Sequence, residues 1–252
     1  MSGSWRHPGR SGAIVYTVAA SIVGGLLTMI SRLQIERQRG RQRAAAALPD
    51  GAVIVVANHT SYADGLLLAL LARRMGRSLR MLATAGVFRI PLIGRLARSV
   101  GFIPVRRDSS NPAVALEPAL DALAMGEAIG LLPAGRITRG PDQWPERAKT
   151  GVVRLAVRSG APVVPVAMVG AHRVIARRRL LSRTMLNVLL RPQVSVRVGE
   201  PVDVAAMLDV AELDDADRIR AVTDTVMAEV VDLVAQVRRE AAPDPIGVER
   251  VD

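Results

Sequence analysis

His59 and Asp64 stand five residues apart in the segment Asn58-His59-Thr60-Ser61-Tyr62-Ala63-Asp64. An imidazole with a carboxylate in reach makes a base and its orienting partner. The carboxylate fixes which ring nitrogen carries the proton and stabilises the imidazolium that forms. The segment follows the apolar run Ala52-Val53-Ile54-Val55-Val56-Ala57 and passes into Gly65-Leu66-Leu67-Leu68-Ala69-Leu70-Leu71. That succession predicts a buried strand, a turn and a helix. It sets both residues at the carboxyl end of a strand, where α/β sheets gather their ligands. The pair has no nucleophile of its own, so the hydroxyl it activates belongs to a substrate. On spacing alone, a satisfied core histidine beside a helix start explains the pair equally well.

Further blocks carry the weight. Gly101-Phe102-Ile103-Pro104-Val105-Arg106-Arg107 reads as a short strand delivering the Arg106 guanidinium, a group that holds phosphate oxygens in a bidentate fork. In Leu131-Leu132-Pro133-Ala134-Gly135-Arg136-Ile137-Thr138-Arg139-Gly140, Gly135 lets backbone approach an oxyanion or phosphate closely. Arg136 and Arg139 are the cations there, and the sequence leaves open which points inward. Lys149-Thr150-Gly151 starts a helix, and Val163-Val164-Pro165-Val166-Ala167-Met168 is a buried strand.

In this order, over residues 50–170, the blocks resemble the glycerolipid acyltransferases, which acylate glycerol 3-phosphate or lysophospholipids. His59 and Asp64 match that family's His-x4-Asp motif, and Arg106 matches its glycine-phenylalanine-isoleucine-x-x-arginine block. The Gly135-Arg136-Ile137-Thr138 run is similar to the form in 2-acylglycerophosphoethanolamine acyltransferases. Two positions depart from the pattern: Ala134 stands where the family usually has glutamate, and Arg136 where threonine is commoner. The resemblance implies His59 and Asp64 as the catalytic pair, with Arg106, Gly135, Arg136 and Arg139 binding a phosphate. It implies acyl transfer from acyl-CoA or acyl carrier protein to a hydroxyl of lysophosphatidic acid or a related lysophospholipid. The thioester is a co-substrate, and no other cofactor is implied.

Composition narrows the rivals. The chain has no cysteine, which removes disulfides, thiolate metal sites and a thiol nucleophile. Its three histidines, His7, His59 and His172, show no metal-binding spacing, so no metal site is expected. His7 falls in a polar tail and reads as solvated; His172 is a minor rival base with no carboxylate near it in sequence. Residues 1–48 hold 7 Arg against 1 Glu, residues 49–199 hold 22 basic against 8 acidic groups, and residues 200–252 hold 5 against 14. The positive middle carries every block and suits phosphate-bearing partners. Aromatic residues are 2% of the chain, too few for base stacking, so nucleic acid is not expected. A hydrolase would need a nucleophile elbow, and the chain has no Gly-x-Ser-x-Gly. A silent lipid- or phosphate-binding homologue remains the other alternative, on account of Ala134.

Ala13 to Ile30 is an uncharged run of 18 residues. As a helix it reaches about 27 Å, just short of a bilayer core of roughly 30 Å. A membrane-associated apolar and basic helix, an anchor that spans or lies in the interface, is expected over 13–48, with Ser31 to Arg43 as its basic continuation against anionic headgroups and Arg177-Arg178-Arg179 as a second contact. The arginine excess implies a catalytic domain on the cytoplasmic side. Residues 1–12 read as a disordered tail, 49–208 as the acyltransferase domain, and 209–252 as an acidic helix and tail. Helices near 64–75, 91–98, 112–125 and 147–158 interleave with strands near 79–83, 102–105, 128–132 and 163–169, and 193–198 alternates as a further strand. That predicts an α/β fold: a largely parallel central sheet covered by helices, an N-terminal apolar helix and an outer C-terminal helix.

Overall fold

The structure, a computed structural model, describes residues 5–37, 48–105, 114–140, 142–174 and 186–241. Seven strands form one sheet: β1 (Arg32–Arg37), β2 (Val53–Ala57), β3 (Leu79–Thr84), β4 (Ile103–Val105), β5 (Ala128–Leu131), β6 (Val163–Val169) and β7 (Gln193–Val198). Their spatial order is β1-β7-β6-β2-β5-β3-β4. Neighbours run parallel except β6 and β7, which are antiparallel. The expected largely parallel sheet is present, with β2 buried at every position in its middle.

Strand geometry sends successive side chains to opposite faces, and β2 does so here. Val53, Val55 and Ala57 join a core with α1 (Gly9–Ile30) and α2 (Asp64–Arg74). Ile54 and Val56 join the opposite core, built on α4 (Glu117–Ala124), α5 (Gly151–Ser159) and the C-terminal helix Ala216–Ala241. A shorter helix, α3 (Pro91–Ser99), lies in the β3–β4 crossover with proline in its first turn, where the missing N–H is harmless.

Three expectations need correction. The tail expected to be disordered over 1–12 is docked from Trp5 onward: Trp5 Nε1 donates to the Gly101 carbonyl at 3.0 Å, and α1 already begins at Gly9. His7 is not simply solvated, since its Nε2 lies 2.8 Å from Glu127 Oε1. The basic continuation of the apolar helix is instead strand β1, paired in parallel with β7. Leu33 and Ile35 alternate with Arg32, Gln34 and Glu36 and pack on the first core, a period of two that no helix satisfies. Within 112–125, the described residues form one 3-10 turn at Val114–Leu116 before α4. Arg39, Arg41, Arg43 and Arg177-Arg178-Arg179 lie outside the described residues.

α1 is long and apolar enough to cross a bilayer by length and composition. It nevertheless lies along the domain. Gly12, Tyr16, Ala20, Gly24 and Leu27 form a buried stripe at helical spacing. The Tyr16 hydroxyl donates to the Ala69 carbonyl of α2 at 2.8 Å, and a Cβ on Gly24 would sit 2.8 Å from Leu70 Cδ1. The opposite stripe is bare: Ile14, Val18, Ile22, Leu26 and Met29 are each more than half exposed.

Candidate active site

The site starts where β2 ends. Asn58 replaces the next step of the ladder with its side chain: Nδ2 donates to the Met168 carbonyl at 2.8 Å, and Oδ1 accepts from Met168 N–H at 2.7 Å. The sheet is sealed there while the backbone turns away, and His59 is the first residue of the turn. Asp64 opens α2, where the N-terminal end of the helix favours a negative charge.

The two side chains meet. His59 Nδ1 lies 2.9 Å from Asp64 Oδ2. The same oxygen accepts Thr60 N–H at 2.6 Å and Ser61 N–H at 2.7 Å. Asp64 is fully buried, whereas the His59 side chain is 17% exposed. Two backbone donors and one imidazole hold the carboxylate in place. With Nδ1–H engaged, Nε2 is the nitrogen left to accept a proton.

The loop between β5 and α5 forms the adjacent wall. Gly135 has φ +69°, the left-handed region that glycine enters without strain. A Cβ there would meet Lys149 Cε at 3.4 Å, so the lysine stem lies directly over the glycine. Lys149 N–H donates to the Pro133 carbonyl at 2.9 Å, closing the loop. Thr138 N–H donates to the His59 carbonyl at 2.8 Å. Arg136 and Arg139 both meet one carboxylate: Arg136 Nε donates to Glu146 Oε2 and Arg139 N–H to Glu146 Oε1, each at 2.7 Å. The Arg139 N–H first and the Arg136 side chain second hold the Glu146 carboxyl below its ordinary range. The C-terminal helix braces the far side of the loop, since the Arg238 guanidinium stacks 4.3 Å from the Trp144 ring and Arg220 Nη1 donates to the Ala148 carbonyl at 2.7 Å.

Sequence reasoning paired His59 with Asp64 and placed Gly135, Arg136 and Arg139 in one loop, and the structure joins that loop to His59. Arg106 lies outside the described residues. Glu146 was missed because it meets its partners across a loop, at a spacing no local pattern marks. Lys149 was seen only as a helix start, although it is the sole lysine of the chain.

A sequence model of the family described as Acyltransferase matches residues 32–169, more than half of the chain. The chain belongs to the Acyltransferase family. Among relatives in this family, the chloroplastic 1-acyl-sn-glycerol-3-phosphate acyltransferase BAT2 of Brassica napus is 28% identical over 127 residues, covering 50% of this chain and 35% of that protein. The 1-acyl-sn-glycerol-3-phosphate acyltransferase of Limnanthes alba is 29% identical over 160 residues, covering 60% and 50%. The matches thus span about a third to a half of those relatives' length. The crystal structure of the 1-acyl-sn-glycerophosphate (LPA) acyltransferase PlsC from Thermotoga maritima superposes with a TM-score of 0.56. It covers 88% of this chain and 80% of that one at 21% identity, a shared acyltransferase fold.

Proposed function

We propose that this acyltransferase moves a fatty acyl group from a thioester, acyl-CoA or acyl carrier protein, to a free hydroxyl of lysophosphatidic acid or a related lysophospholipid. The observation that carries the reading is the His59–Asp64 pair, joined at 2.9 Å at a strand end with the ring partly open. His59 Nε2 takes the hydroxyl proton as the acceptor oxygen attacks the thioester carbonyl. The tetrahedral intermediate collapses, the C–S bond breaks, and the leaving thiolate recovers the proton from the imidazolium. General-base assistance of this kind is worth about 10²–10⁴-fold. Gly135, Arg136, Arg139 and Lys149 form a cationic wall suited to a phosphate head, and holding that head sets the hydroxyl against the base.

The lipid reading has independent support on the surface. The bare stripe of α1 continues onto α3, where Leu92 is 79% exposed, and onto 186–190, where Leu189 is 82% exposed. Arg191 Nη2 donates to the Thr28 carbonyl at 2.8 Å, joining that last segment to the end of α1. Arg89, Arg95 and Arg98 are exposed beside the α3 patch. We place α1 in the headgroup plane with its buried stripe on the domain, the basic side chains against anionic lipid, and the domain on the cytoplasmic face.

The test is a panel of hydroxyl acceptors with one labelled acyl thioester, read by lipid mass spectrometry. Transfer to lysophosphatidic acid above the other acceptors supports the proposal. Release of free acid alone, with no acylated acceptor, refutes it.

A further inference from the structure

Asp64 is bonded on one side only. Oδ2 accepts three donors, while Oδ1 is buried without a hydrogen-bond partner. An ionised carboxylate has about four lone-pair sites, so half of this one is unused. Buried polar atoms without partners are few in folded proteins, and each one calls for an explanation. Among the described residues there are four such side-chain atoms, and three are Thr60 Oγ1, Asp64 Oδ1 and His172 Nδ1.

His172 reaches this region by sheet geometry. β6 lies beside β2, with Val166 opposite Ala57, and Asn58 clasps Met168 one step further on. Gly170 then turns the chain at φ +90°, where a Cβ would stand 2.2 Å from the Gln193 carbonyl oxygen. Only glycine fits there. The turn throws the short helical stretch Ala171–Val174 over the carboxyl end of the sheet, and His172 is its second residue. The charges acting on its ring are those of Arg173, Asp64 and Arg238. Burial, foremost, holds the ring neutral at ordinary pH, so that it carries one N–H.

We propose that His172 is a positioning residue for the transfer reaction: its Nδ1–H is linked through one bound water to Asp64 Oδ1, locking the carboxylate so that Oδ2 stays on His59 Nδ1. A bound water makes two to four hydrogen bonds, and Thr60 Oγ1 offers it a third partner. The inference rests on the reading of His59 as the base. It adds a residue that acts through Asp64 and touches no substrate.

The experiment is a mutant cycle on the full chain. His172→Leu lowers kcat by about 10- to 100-fold, the scale on which outer hydrogen-bond partners of ligating histidines act. KM for both substrates stays within about twofold, because the proposed bridge ends on Asp64 and reaches no substrate. His172→Asn, whose amide nitrogen overlays Nδ1, restores most of the rate, whereas His172→Gln, with its amide at the Nε2 position, does not. On a His59→Ala background, His172→Leu costs nothing further, since residues acting as a unit are not additive. The proposal is overturned if His172→Leu retains full kcat, if the loss is all in KM, or if both backgrounds lose equally. Should His172→Leu not fold, as thermal unfolding will show, the Asn and Gln variants decide: equal rates overturn it. His59→Ala with full activity sinks the reading of the base and this inference together. Full dependence on His59 with an inert His172 sinks this inference alone.

Discussion

Thr138 N–H donates to the carbonyl oxygen of His59, so the loop that carries Arg136 and Arg139 is fastened to the residue proposed as the base. The distance is 2.8 Å, and the Thr138 side chain is buried behind it. A cation in that loop therefore keeps a fixed offset from the imidazole. Positioning of this type accounts for much of the acceleration in reactions between two bound partners.

Removing the base tests the chemistry directly. His59→Ala lowers the transfer rate by about 10²–10⁴-fold while the thermal midpoint stays close to that of the parent chain, because the ring is partly exposed. Asp64→Asn lowers both. It replaces an anion that accepts three donors with an amide that cannot match them, at a cost of roughly 1–3 kcal/mol. Initial rates and calorimetry separate the two outcomes, and an unaltered rate in His59→Ala would contradict the assignment.

Glu146 holds the Arg136 side chain and the Arg139 N–H, in the loop where position 134 is alanine. Glu146→Ala frees the Arg136 guanidinium and the Arg139 N–H, and raises KM for a phosphate-bearing acceptor by roughly 3- to 10-fold, in keeping with exposed charge-assisted contacts. The kcat changes little. An acceptor without phosphate shows no effect of the substitution, and an equal effect on both acceptors would disprove the role.

The chain's single lysine makes chemical footprinting unusually clean. An amine-reactive ester has two targets, Lys149 and the N-terminal amine. Saturating lysophosphatidic acid slows labelling of Lys149 and leaves the N-terminus unchanged, as peptide mass spectrometry will show. Equal labelling with and without the lipid means that no phosphate sits beside Gly135.

Burial holds the His172 imidazole below its ordinary value of about 6.5, with Arg173 adding to the effect and Asp64 opposing it. The unfolded chain therefore takes a proton before the folded one does. Stability falls as pH drops from about 6.5 towards the folded value and is flat above it. His172→Asn removes this part of the slope, and thermal midpoints between pH 5 and 8 measure it. Parallel slopes in the two chains would count against the assignment.

The two stripes of α1 separate docking from folding. Ile22→Asp, on the bare stripe, weakens binding to anionic phosphatidylglycerol vesicles about tenfold or more and leaves the thermal midpoint unchanged. Gly24→Val, on the buried stripe against Leu70, costs about 1–3 kcal/mol of stability. Vesicle flotation beside thermal unfolding distinguishes them, and equal vesicle binding by Ile22→Asp and the parent would exclude this face as the docking surface.

Most of the sheet was legible because its central strands are short, β-branched and flanked by turns, as at Val53–Ala57 and Val163–Val169. Arg32–Arg37 was read as a helix because its arginines outweighed the alternation of Leu33 and Ile35. The His59–Asp64 pair was legible since both residues belong to one turn. Glu146 over Arg136, and the delivery of His172 to the carboxyl end of the sheet, were not, because they are set by loop closure and by strand order. Neither leaves a trace in local spacing. The N-terminal residues looked mobile by composition, yet Trp5 finds its acceptor at Gly101, 96 residues away.

One residue, Ser31, separates the end of α1 from the first residue of β1, and its hydroxyl donates back to the Leu27 carbonyl at 2.5 Å. There is no tether to swing on. Under the proposed docking on α1, a body joined so stiffly to that helix travels with it as a plane travels on its sole, and His59 rides at one height above the leaflet. The same proposal then has acceptors sorted by how far their hydroxyl stands from the surface, before any pocket measures them.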